Sequence, residues 1–331
     1  MKNGKFCWGI IGCGKIARQF AISLSVLPEA ELLGVASRSR ERAENFAGEH
    51  HVQHWFDNYE DLVLMPELDA VYVATTHNYH FENSMLCIEH GKGVLCEKPL
   101  TVTAGEAEKL IEFSKSRNVF LMEAFWTRFL PATKKLMDLI DQKRIGEVKL
   151  VKADFGYNFP FDARSRVYDP VLAGGALLDV GVYPINLAQM IYGSDPVDIQ
   201  SSIIMSPTLI DEQSCYIFKY DKARMAMLYA AVNVETMHDA WIYGTEGIIH
   251  MPKFYAATQL HIYSGSTKET IELPFLSTGY SYEAEEVMQC MASGRIESGI
   301  MPLDESLRIM KIMDQMRQTW GLSYPADLEH G

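Results

Sequence analysis

The chain lacks long apolar runs, signal-peptide features and clustered basic residues, and each absence excludes a class of protein. None of the apolar runs among its 331 residues approaches the roughly 20 residues that span a bilayer. The start, MKNGKFCWGIIGCG, has neither a separate signal-peptide core nor a small-residue cleavage site. A net charge of -13 disfavours a nucleic-acid surface, because clustered Lys and Arg must replace the counterions of the phosphates. We therefore expect a cytoplasmic protein that binds neither membranes nor nucleic acids.

The usual sequence signals of metal and disulfide chemistry are also missing. The six cysteines include no C-x-x-C pair, and the ten histidines include no H-E-x-x-H pattern or comparable ligand spacing. Since cytosolic chains rarely keep disulfides, we interpret the cysteines as reduced structural thiols. The sequence predicts no metal site.

What the chain does contain is an alternation of short apolar runs and helical patterns up to about residue 124. Runs such as FCWGIIG, ELLGVAS, DAVYVAT and GVLCEK are separated by amphipathic segments. A strand–helix–strand succession with apolar strands is typical of a parallel, doubly wound sheet that is covered on both faces. We predict an α/β fold in which residues 1–124 form a Rossmann-type dinucleotide-binding domain.

The pattern changes after this first part. One helical stretch, residues 131–143, is followed by strand-like segments that predict an open, mostly antiparallel sheet, with helices near 174–191 and 303–320 packed against it. We assign residues 125–331 to an α+β domain for substrate binding and oligomerisation. The apolar alternation MAMLYAAV within this sheet predicts pairing with a second copy, hence a homodimer, with a tetramer as the alternative.

A dinucleotide-binding fingerprint follows the first predicted strand. The sequence GCGKIA matches G-x-G-x-x-G/A: Gly12 permits the tight turn, Gly14 lets the backbone approach the pyrophosphate, and Ala17 allows the helix to pack on the strand. The free N–H groups of the following helix face the phosphates. The motif arises by chance in many chains, but its position in the first βαβ unit makes it specific. The predicted phosphate-binding residues are Gly12, Gly14, Lys15, Ile16 and Ala17.

The end of the second predicted strand indicates which dinucleotide is bound. An NAD enzyme usually presents Asp or Glu there to the ribose hydroxyls, whereas this chain has Ser37, Arg38 and Arg42. A hydroxyl and two guanidiniums suit a 2′-phosphate, so NADP is favoured and NAD stays possible. The alternative interpretation takes both arginines as solvated charges at the start of a helix.

Two further polar clusters follow later strands of the same domain, where open α/β sheets bind their ligands. After DAVYVAT come Thr75, His77, Asn78 and His80, which we predict to contact the cofactor. The next strand, GVLCEKP, ends in Glu97 and Lys98, which we also predict to contact the cofactor. Lysine at the end of a buried strand is unusual, and a cation beside a reacting hydroxyl explains it.

Taken together, the fingerprint, ATTHNYH, the E-K-P triplet and GGALLDVGVYPINLA resemble the Gfo/Idh/MocA oxidoreductase family over essentially the whole chain. EAFWTRFLP and the tyrosine in DVGVYPI are most similar to its branch of dimeric dihydrodiol dehydrogenases and NADP-dependent D-xylose 1-dehydrogenases. The resemblance implies that Lys98 lies beside the nicotinamide and the substrate, and that the Lys98–Pro99 peptide bond is cis. Tyr183 stands where the family usually has a catalytic histidine, and Asn186 replaces a further carboxylate.

The spacing of Asp179 and Tyr183 places both side chains on one face if the segment is helical. With the family pattern, we interpret Lys98, Tyr183 and Asp179 as the catalytic residues. Tyr183 exchanges the substrate proton while Lys98 lowers the pKa of its phenol, or Lys98 is itself the base. The structural alternatives are a core tyrosine and an aspartate at a helix N-terminus.

Aromatic and cationic residues near the domain boundary suggest a substrate site. Trp126 offers a flat apolar wall to a sugar or an aromatic diol, and Arg128 offers donors to hydroxyls. Aromatic residues alternate ahead of the loop 164–169, at Phe155, Tyr157, Phe159 and Phe161, and they line either the same pocket or the sheet. We predict Trp126, Arg128, Phe155 and Tyr183 as substrate-binding residues, with core packing as the alternative.

The sequence thus favours hydride transfer between NADP(H) and a hydroxyl or carbonyl of a sugar or a cyclic trans-diol. One alternative is a glycosidase in which tightly bound NAD is reduced and reoxidised within a turnover. Arg38 and Arg42 disfavour this alternative, because they suit the 2′-phosphate of NADP. The other alternative is a regulator that binds dinucleotide and sugar but catalyses no reaction. The presence of both Lys98 and Tyr183 disfavours it, because a protein that only binds these ligands does not need a proton-transfer pair.

Overall fold

The computed structural model describes the backbone of residues 4–330 and the side chains of residues 4–327. Its contacts divide the chain into two compact units, one of residues 1–126 and 276–307, the other of residues 127–275 and 308–331. The division differs from the boundaries expected from the sequence, because residues 276–307 return to the first unit. There the backbone N–H of Leu121 donates to Ile296 O over 3.0 Å. No change of composition in the sequence marks this return.

The first unit is built on a six-stranded sheet that is parallel throughout. Its strands are β1 (Phe6–Ile11), β2 (Ala30–Ala36), β3 (His54–Phe56), β4 (Ala70–Val73), β5 (Gly93–Glu97) and β6 (Leu121–Ala124). The order is β3-β2-β1-β4-β5-β6, and β1 lies between β2 and β4 where the chain changes direction across the sheet. This is the doubly wound Rossmann arrangement predicted from the sequence, and folds of this kind bind their ligands at the carboxyl ends of the strands.

Three helices of this unit start at side-chain caps that the sequence supplies. Thr103 accepts from the backbone of Glu106 while the Glu106 side chain accepts from the Thr103 N–H, which forms a complete capping box. Ser39 and Asn58 cap two other helices. The helices are α1 (Lys15–Leu24), α2 (Arg40–His50), α3 (Tyr59–Val63), α4 (His80–Glu89), α5 (Ala104–Arg117) and, after the return, α8 (Ser281–Ala292); α9 (Leu303–Trp320) begins in this unit and continues into the second.

The second unit contains an eight-stranded sheet in which all neighbouring strands but one pair are antiparallel, as the sequence predicts. The strands are β7 (Val148–Gly156), β8 (Asp198–Met205), β9 (Asp211–Tyr220), β10 (Arg224–Ala231), β11 (Ala240–Gly244), β12 (Ile248–Met251), β13 (Gln259–Ser264) and β14 (Thr267–Glu272). Their order is β14-β13-β12-β11-β7-β10-β9-β8, and only β7 and β10 run parallel.

The second unit also contains helical segments, several of which contact the sheet. They are α6 (Pro131–Asp141), a π-helical turn (Leu177–Gly181), α7 (Val182–Tyr192), the second part of α9, and α10 (Pro325–His330). Short 3₁₀ turns cover His77–Tyr79, Trp126–Phe129, Pro170–Leu172 and Phe254–Ala256. The helix expected near 174–191 is therefore two elements, and the π-helical turn comes before the regular helix.

One apolar stretch corrects the sequence-based expectation that nothing approaches membrane-spanning length. Pro170–Tyr192 is a helical stretch of 23 residues with a mean hydropathy of 1.5, long and apolar enough by composition to cross a membrane. However, 89% of its most apolar window is buried inside the protein. A buried core helix can have the same length and hydropathy as a membrane-spanning one, since a helix that is apolar all round belongs either in a large core or in a membrane.

Candidate functional site

The fingerprint turn connects β1 to α1 and requires glycine at its first position. Gly12 has φ +97, a region that side-chain-bearing residues rarely adopt. A Cβ at this residue would lie 2.6 Å from the carbonyl oxygen of Ala74, which follows β4. The backbone of the turn therefore touches the neighbouring strand at the switch point of the sheet.

The N-terminus of α1 is open to an anion. Gly14 is the N-cap residue, no side chain caps the helix, and the first turn contains no acidic residue. Nothing lies within 4 Å of the position that a Cβ of Gly14 would take. Ala17 in the same turn is fully buried, so the helix packs closely on the sheet. Unpartnered helix N–H groups facing open space are the arrangement that binds phosphates in dinucleotide folds.

The carboxyl end of β2 presents hydroxyl and guanidinium groups. The Ser37 side chain is buried and accepts from Ser39 N over 3.3 Å, which shapes the turn into α2. Arg38 and Arg42 are exposed. The Arg38 guanidinium lies 4.5 Å from the centre of the Tyr79 ring, and a hydrogen bond with this tyrosine raises the pKa of Arg38. This edge is therefore cationic and has an aromatic ring beside it.

The residues after β4 are mostly held by protein partners. Thr75 accepts from the Asn83 amide over 3.2 Å, and Asn78 accepts from Thr76 over 2.8 Å. His77 is buried in the 3₁₀ turn, with its ring 5.7 Å from that of His80. The predicted cofactor-contacting residues thus lie together at the carboxyl edge of the sheet.

His80 is fully buried and supports the loop that carries Lys98. Its Nδ1 lies 2.8 Å from Pro99 O and its Nε2 lies 3.3 Å from Thr75 O. Burial lowers the pKa of His80 to about 4, so the ring is neutral and has a single N–H. We assign this proton to Nδ1, which makes the shorter contact. His80 therefore binds the backbone of the E-K-P triplet.

Lys98 follows β5 and is half-buried. The Lys98–Pro99 peptide bond is cis, which confirms the expectation drawn from the family resemblance. On the far side of Pro99, the Leu100 N–H donates to Glu123 Oε1 over 3.0 Å. The carbonyl that contacts His80 and the N–H that contacts Glu123 belong to the same Pro99–Leu100 peptide, so the loop is anchored directly after the lysine.

The glutamate of the triplet is buried under the sheet edge. Glu97 accepts a hydrogen bond from the hydroxyl of Tyr72, which is fully buried on β4. Burial raises the pKa of Glu97, while the Lys98 ammonium opposes that rise. Glu283 of α8 is also fully buried, and burial raises the pKa of its carboxyl well above the ordinary value. Burial thus raises the pKa of both carboxyls, which favours their neutral forms under the sheet edge.

Trp126, at the end of the first unit, packs against an aromatic side chain of the returning segment. Its ring stacks on that of Tyr280, with 4.6 Å between the ring centres and 20° between the planes. Trp126 is only 6% exposed. The tryptophan thus has a fixed orientation and little exposed surface, as the alternative of core packing also predicts.

In the second unit, Asp179 lies within the π-helical turn and Tyr183 in the first turn of α7. The expected regular helix is replaced here by i→i+5 geometry, a form that occurs frequently at functional sites. Asp179 Oδ1 lies 3.0 Å from Nη1 of Arg166, which is half-exposed. The buried carboxylate is therefore paired with a guanidinium from the preceding loop.

Tyr183 belongs to an aromatic cluster centred on Phe155. The ring of Phe155, on β7, meets that of Tyr183 edge to face at 4.9 Å and stacks on Tyr255 at 4.6 Å. His238 lies on another side of Phe155, 4.8 Å away. The predicted alternation does not continue as a strand, because β7 ends at Gly156. Phe159 and Phe161 lie in the loop that follows, and Phe161 is 52% exposed.

Arg128 is buried and has a protein partner. It is 4% exposed, and its Nε donates to Asn186 Oδ1 over 2.8 Å. The amide that replaces the family carboxylate therefore still accepts from a guanidinium. A small cavity of about 10 Å³, the size of one water, lies between Thr127, Tyr183 and Asn186.

Several residues of these clusters were not singled out from the sequence. Arg166 lies in the loop that follows the aromatic alternation, and its pairing with Asp179 depends on a turn that the sequence does not specify. Tyr255 and His238 come from distant loops and join Phe155 only through the sheet. Tyr280 reaches Trp126 because of the chain's return. No local pattern identifies such partners, since they depend on long-range packing.

Comparison with known proteins agrees with this geometry. Residues 6–125 match the model of an oxidoreductase family with an NAD-binding Rossmann fold, and residues 133–250 match the C-terminal domain of the Gfo/Idh/MocA proteins. The chain belongs to the Gfo/Idh/MocA oxidoreductase family. The resemblance inferred from its motifs is confirmed, and the chain is an oxidoreductase built on a nucleotide-binding Rossmann unit.

Related Gfo/Idh/MocA proteins include trans-1,2-dihydrobenzene-1,2-diol dehydrogenases. The Xenopus tropicalis enzyme is 36% identical, over 96% of this chain and 99% of that protein. The human enzyme is 33% identical, over 97% of this chain and 98% of that protein. Among solved structures, KijD10, a 3-ketoreductase from Actinomadura kijaniata in complex with NADP and TDP-benzene, is 26% identical with a TM-score of 0.86, over 95% of this chain and 97% of that one. The expected branch of the family is therefore confirmed.

Proposed function

We propose that the protein is an NADP-dependent dehydrogenase that oxidises a hydroxyl group of a cyclic trans-diol or a sugar, or reduces the corresponding carbonyl. The observation that carries the proposal is Lys98, a lysine fixed at the carboxyl edge of a Rossmann sheet by buried contacts to its loop. The names of the dihydrodiol dehydrogenase relatives support the substrate class. The NADP bound to the related ketoreductase supports the cofactor.

The residues present fit NADP. The open N-terminus of α1 accepts the pyrophosphate, with Gly14, Lys15, Ile16 and Ala17 in its first turn. Ser37, Arg38 and Arg42 receive the 2′-phosphate, and the segment from Ser37 to Arg40 offers no carboxylate to repel it. Gly12, Thr75, His77 and Asn78 line the same sheet edge.

We assign supporting roles to two residues first expected to contact the cofactor. The Glu97 carboxyl is engaged by Tyr72, and both ring nitrogens of His80 face backbone carbonyls. In our proposal they hold the loop of Lys98 in place. A rigid support of this kind preserves the geometry that the reaction needs.

The dinucleotide, when bound, supplies the hydride acceptor or donor at its nicotinamide ring. Lys98 polarises the substrate oxygen with its ammonium. Tyr183 takes the hydroxyl proton in oxidation and returns it in reduction, and Asp179 sets the local charge together with Arg166. In the alternative, Lys98 is itself the base, and the variants Lys98→Met and Tyr183→Phe distinguish the two assignments. Trp126, Phe155 and Arg128 shape the substrate site, the last through Asn186.

The test is a steady-state assay with NADP+ and separately NAD+, against trans-1,2-dihydrobenzene-1,2-diol, D-xylose and D-glucose. Lys98→Met and Tyr183→Phe are each expected to lower kcat by about 10²- to 10⁴-fold, the usual value of a positioned proton-transfer group. If Lys98 alone is the base, only Lys98→Met has an effect of this size. Matched controls are Lys109→Met, at an exposed position of α5, and Tyr192→Phe on the same helix as Tyr183.

Two results would contradict the proposal. Absence of turnover with every substrate, although NADP+ binds, favours a regulator that binds without chemistry. Release of free sugar from a glycoside with bound NAD, without net change in the reduced cofactor, favours a glycosidase.

We also propose separate roles for the two units: the first unit binds the dinucleotide, and the second binds substrate and pairs with a second copy. We place this enzyme in the cytoplasm.

The outer face of the second sheet supports a homodimer. Met227 pairs across the strands with Ile217 on one side and Lys152 on the other, and Lys152 pairs with Trp241. Met227 is 45% exposed and Ile217 36% exposed. The Trp241 ring stacks on His250 with 3.8 Å between ring centres, which gives a flat aromatic surface. Exposed apolar and aromatic side chains that lie together on one sheet face often mark an interface.

Size-exclusion chromatography with light scattering on the eluting protein tests the dimer directly. The wild-type protein is expected to elute as a dimer, and Met227→Glu as a monomer, because a buried unpaired carboxylate opposes association. Leu64→Glu is the control, since Leu64 is also exposed but lies on the first unit. A monomeric wild-type protein contradicts the proposal, and a tetramer that Met227→Glu leaves intact shows that another surface is used.

A further inference from the structure

A buried aspartate outside the clusters described above holds the start of the π-helical turn. Asp211, the first residue of β9, is fully buried. Its Oδ2 accepts from the backbone N–H of Leu177, the first residue of the turn, over 2.7 Å. The first N–H groups of a helical segment have no partner within the segment, so a carboxyl oxygen placed there stabilises its start. The contact joins a distant strand to the segment that carries Asp179.

The same network reaches the end of the turn. Ser214 donates to Asp211 Oδ2 over 3.2 Å and is hydrogen-bonded with the hydroxyl of Tyr216 over 2.6 Å. The Tyr216 hydroxyl lies against Gly181, since a Cβ on that glycine would be 2.6 Å from it. One chain of hydrogen bonds from β9 thus contacts both the first and the last residue of Leu177–Gly181.

The glycines before the turn are explained by this network. Gly175 has φ +124, and a Cβ there would lie 2.3 Å from Asp211 Oδ1. The carbonyl oxygen of Gly174 accepts from the Tyr324 hydroxyl over 2.5 Å, so the C-terminal part of the chain also packs here. The two glycines allow the backbone to approach the carboxyl group closely.

Burial of the Asp211 carboxyl group has a cost in desolvation free energy. Asp211 Oδ1 has no hydrogen-bond partner among the residues whose side chains are described. Burial raises the pKa of Asp211 to about 7, against the opposing effects of the Leu177 N–H, Ser214 and Arg317. The other ionisable groups facing it are the hydroxyls of Tyr216 and Tyr324. Such a group needs a function that offsets its desolvation.

We propose that Asp211 is a positioning residue that fixes the π-helical turn and thereby the directions in which Asp179 and Tyr183 project. The proposal rests on the proposed function of those two residues. Asp211 does not touch the reacting groups. It acts through the backbone of Leu177–Gly181, whose geometry depends on an acceptor at the Leu177 N–H.

The test compares Asp211→Asn, which keeps an acceptor oxygen, with Asp211→Leu, which removes it at similar volume. Hydrogen exchange followed by mass spectrometry reports protection of the peptide that covers residues 174–183. Steady-state assays report kcat and KM. The control is Ile262→Ala, a substitution of a buried residue on β13. Four strands, β12, β11, β7 and β10, lie between β13 and β9, the strand that begins with Asp211. This control shows what general destabilisation does to the two readouts.

We expect Asp211→Leu to lose protection over residues 174–183 and to lower kcat by about 10- to 100-fold, because small displacements of catalytic groups have effects of this size. Asp211→Asn should restore both readouts, and Ile262→Ala should leave both near wild type. Unchanged protection in Asp211→Leu would overturn the proposal, as would lost protection with unchanged kcat. If the wild-type protein turns over no substrate, the proposed function fails, and the exchange comparison still decides whether Asp211 holds the turn.

Discussion

Arg166 Nη1 and Asp179 Oδ1 lie 3.0 Å apart, and the carboxylate is buried whereas the guanidinium is half-exposed. The pair connects a loop to the π-helical turn, so it restricts the direction of the Asp179 side chain. A carboxylate left without its cation in a buried position is costly, and the side chain is then expected to reorient.

From this pairing we expect Arg166→Ala to lower kcat by about tenfold, since the removed cation disturbs the charge beside the reacting groups. Arg164→Ala is the matched control, because Arg164 belongs to the same loop, is 94% exposed and pairs only weakly with Asp162, at 3.8 Å. The measurement is kcat with saturating cofactor. Equal values for the two variants would show that the Arg166–Asp179 pair has no part in the reaction.

The arginines after β2 should decide between the two dinucleotides. Replacing Arg38 or Arg42 with alanine removes a donor to the 2′-phosphate, and each loss is expected to raise KM for NADP+ by about 10-fold, as for a charge-assisted hydrogen bond. KM for NAD+ should stay nearly constant. Arg40→Ala is the control, since the Arg40 guanidinium lies over the Trp55 ring at 5.3 Å. A parallel rise in both KM values would mean that the arginines do not recognise the phosphate.

His80 should make folding sensitive to acid. Its folded pKa of about 4 lies below its ordinary value of 6.5, so the unfolded chain binds the proton first. The free energy of unfolding should therefore fall as the pH falls from 6.5 towards 4, by a few kcal/mol at about 1.4 kcal/mol per pKa unit. Urea unfolding of wild type and His80→Gln across this range measures the effect. The idea fails if the difference between the two proteins does not change with pH.

Asp211 should have the opposite pH dependence. Its folded pKa of about 7 lies above its ordinary value of 3.8, so the folded protein holds a proton that the unfolded chain has lost. The free energy of unfolding should therefore fall as the pH rises from 3.8 to 7 and stay level above. The difference in unfolding free energy between wild type and Asp211→Asn isolates this effect from that of His80. A constant difference over this range would show that Asp211 does not titrate there.

Parts of this molecule could be predicted because their causes are local. The GCGKIA turn needs glycine for its own backbone angle, and the alternation of apolar strands and helices predicts a parallel sheet from residue periodicity alone. The position of Lys98 follows from the end of β5. The family resemblance added the cis bond and the importance of Tyr183, which composition and spacing do not reveal.

Other features depended on contacts between residues far apart in the chain. Nothing in residues 276–307 indicates that they return to the first unit, because their pattern is that of an ordinary amphipathic helix. The sequence predicts the segment 174–191 as one helix, whereas the structure has a π-helical turn before α7 that contacts Asp211 and Tyr216 of β9. The aromatic residues after Tyr157 lie in a loop, because β7 ends at Gly156.

The sequence by itself determined the Rossmann sheet, the phosphate-binding turn and the residues that follow each strand, because hydrophobic periodicity and backbone sterics act over a few residues. Only the tertiary structure decided that Arg166 faces Asp179, that Arg128 donates to Asn186, and that His80 supports the loop of Lys98. Those pairings depend on burial, which favours a partner for most polar groups that is close in space and often distant in sequence.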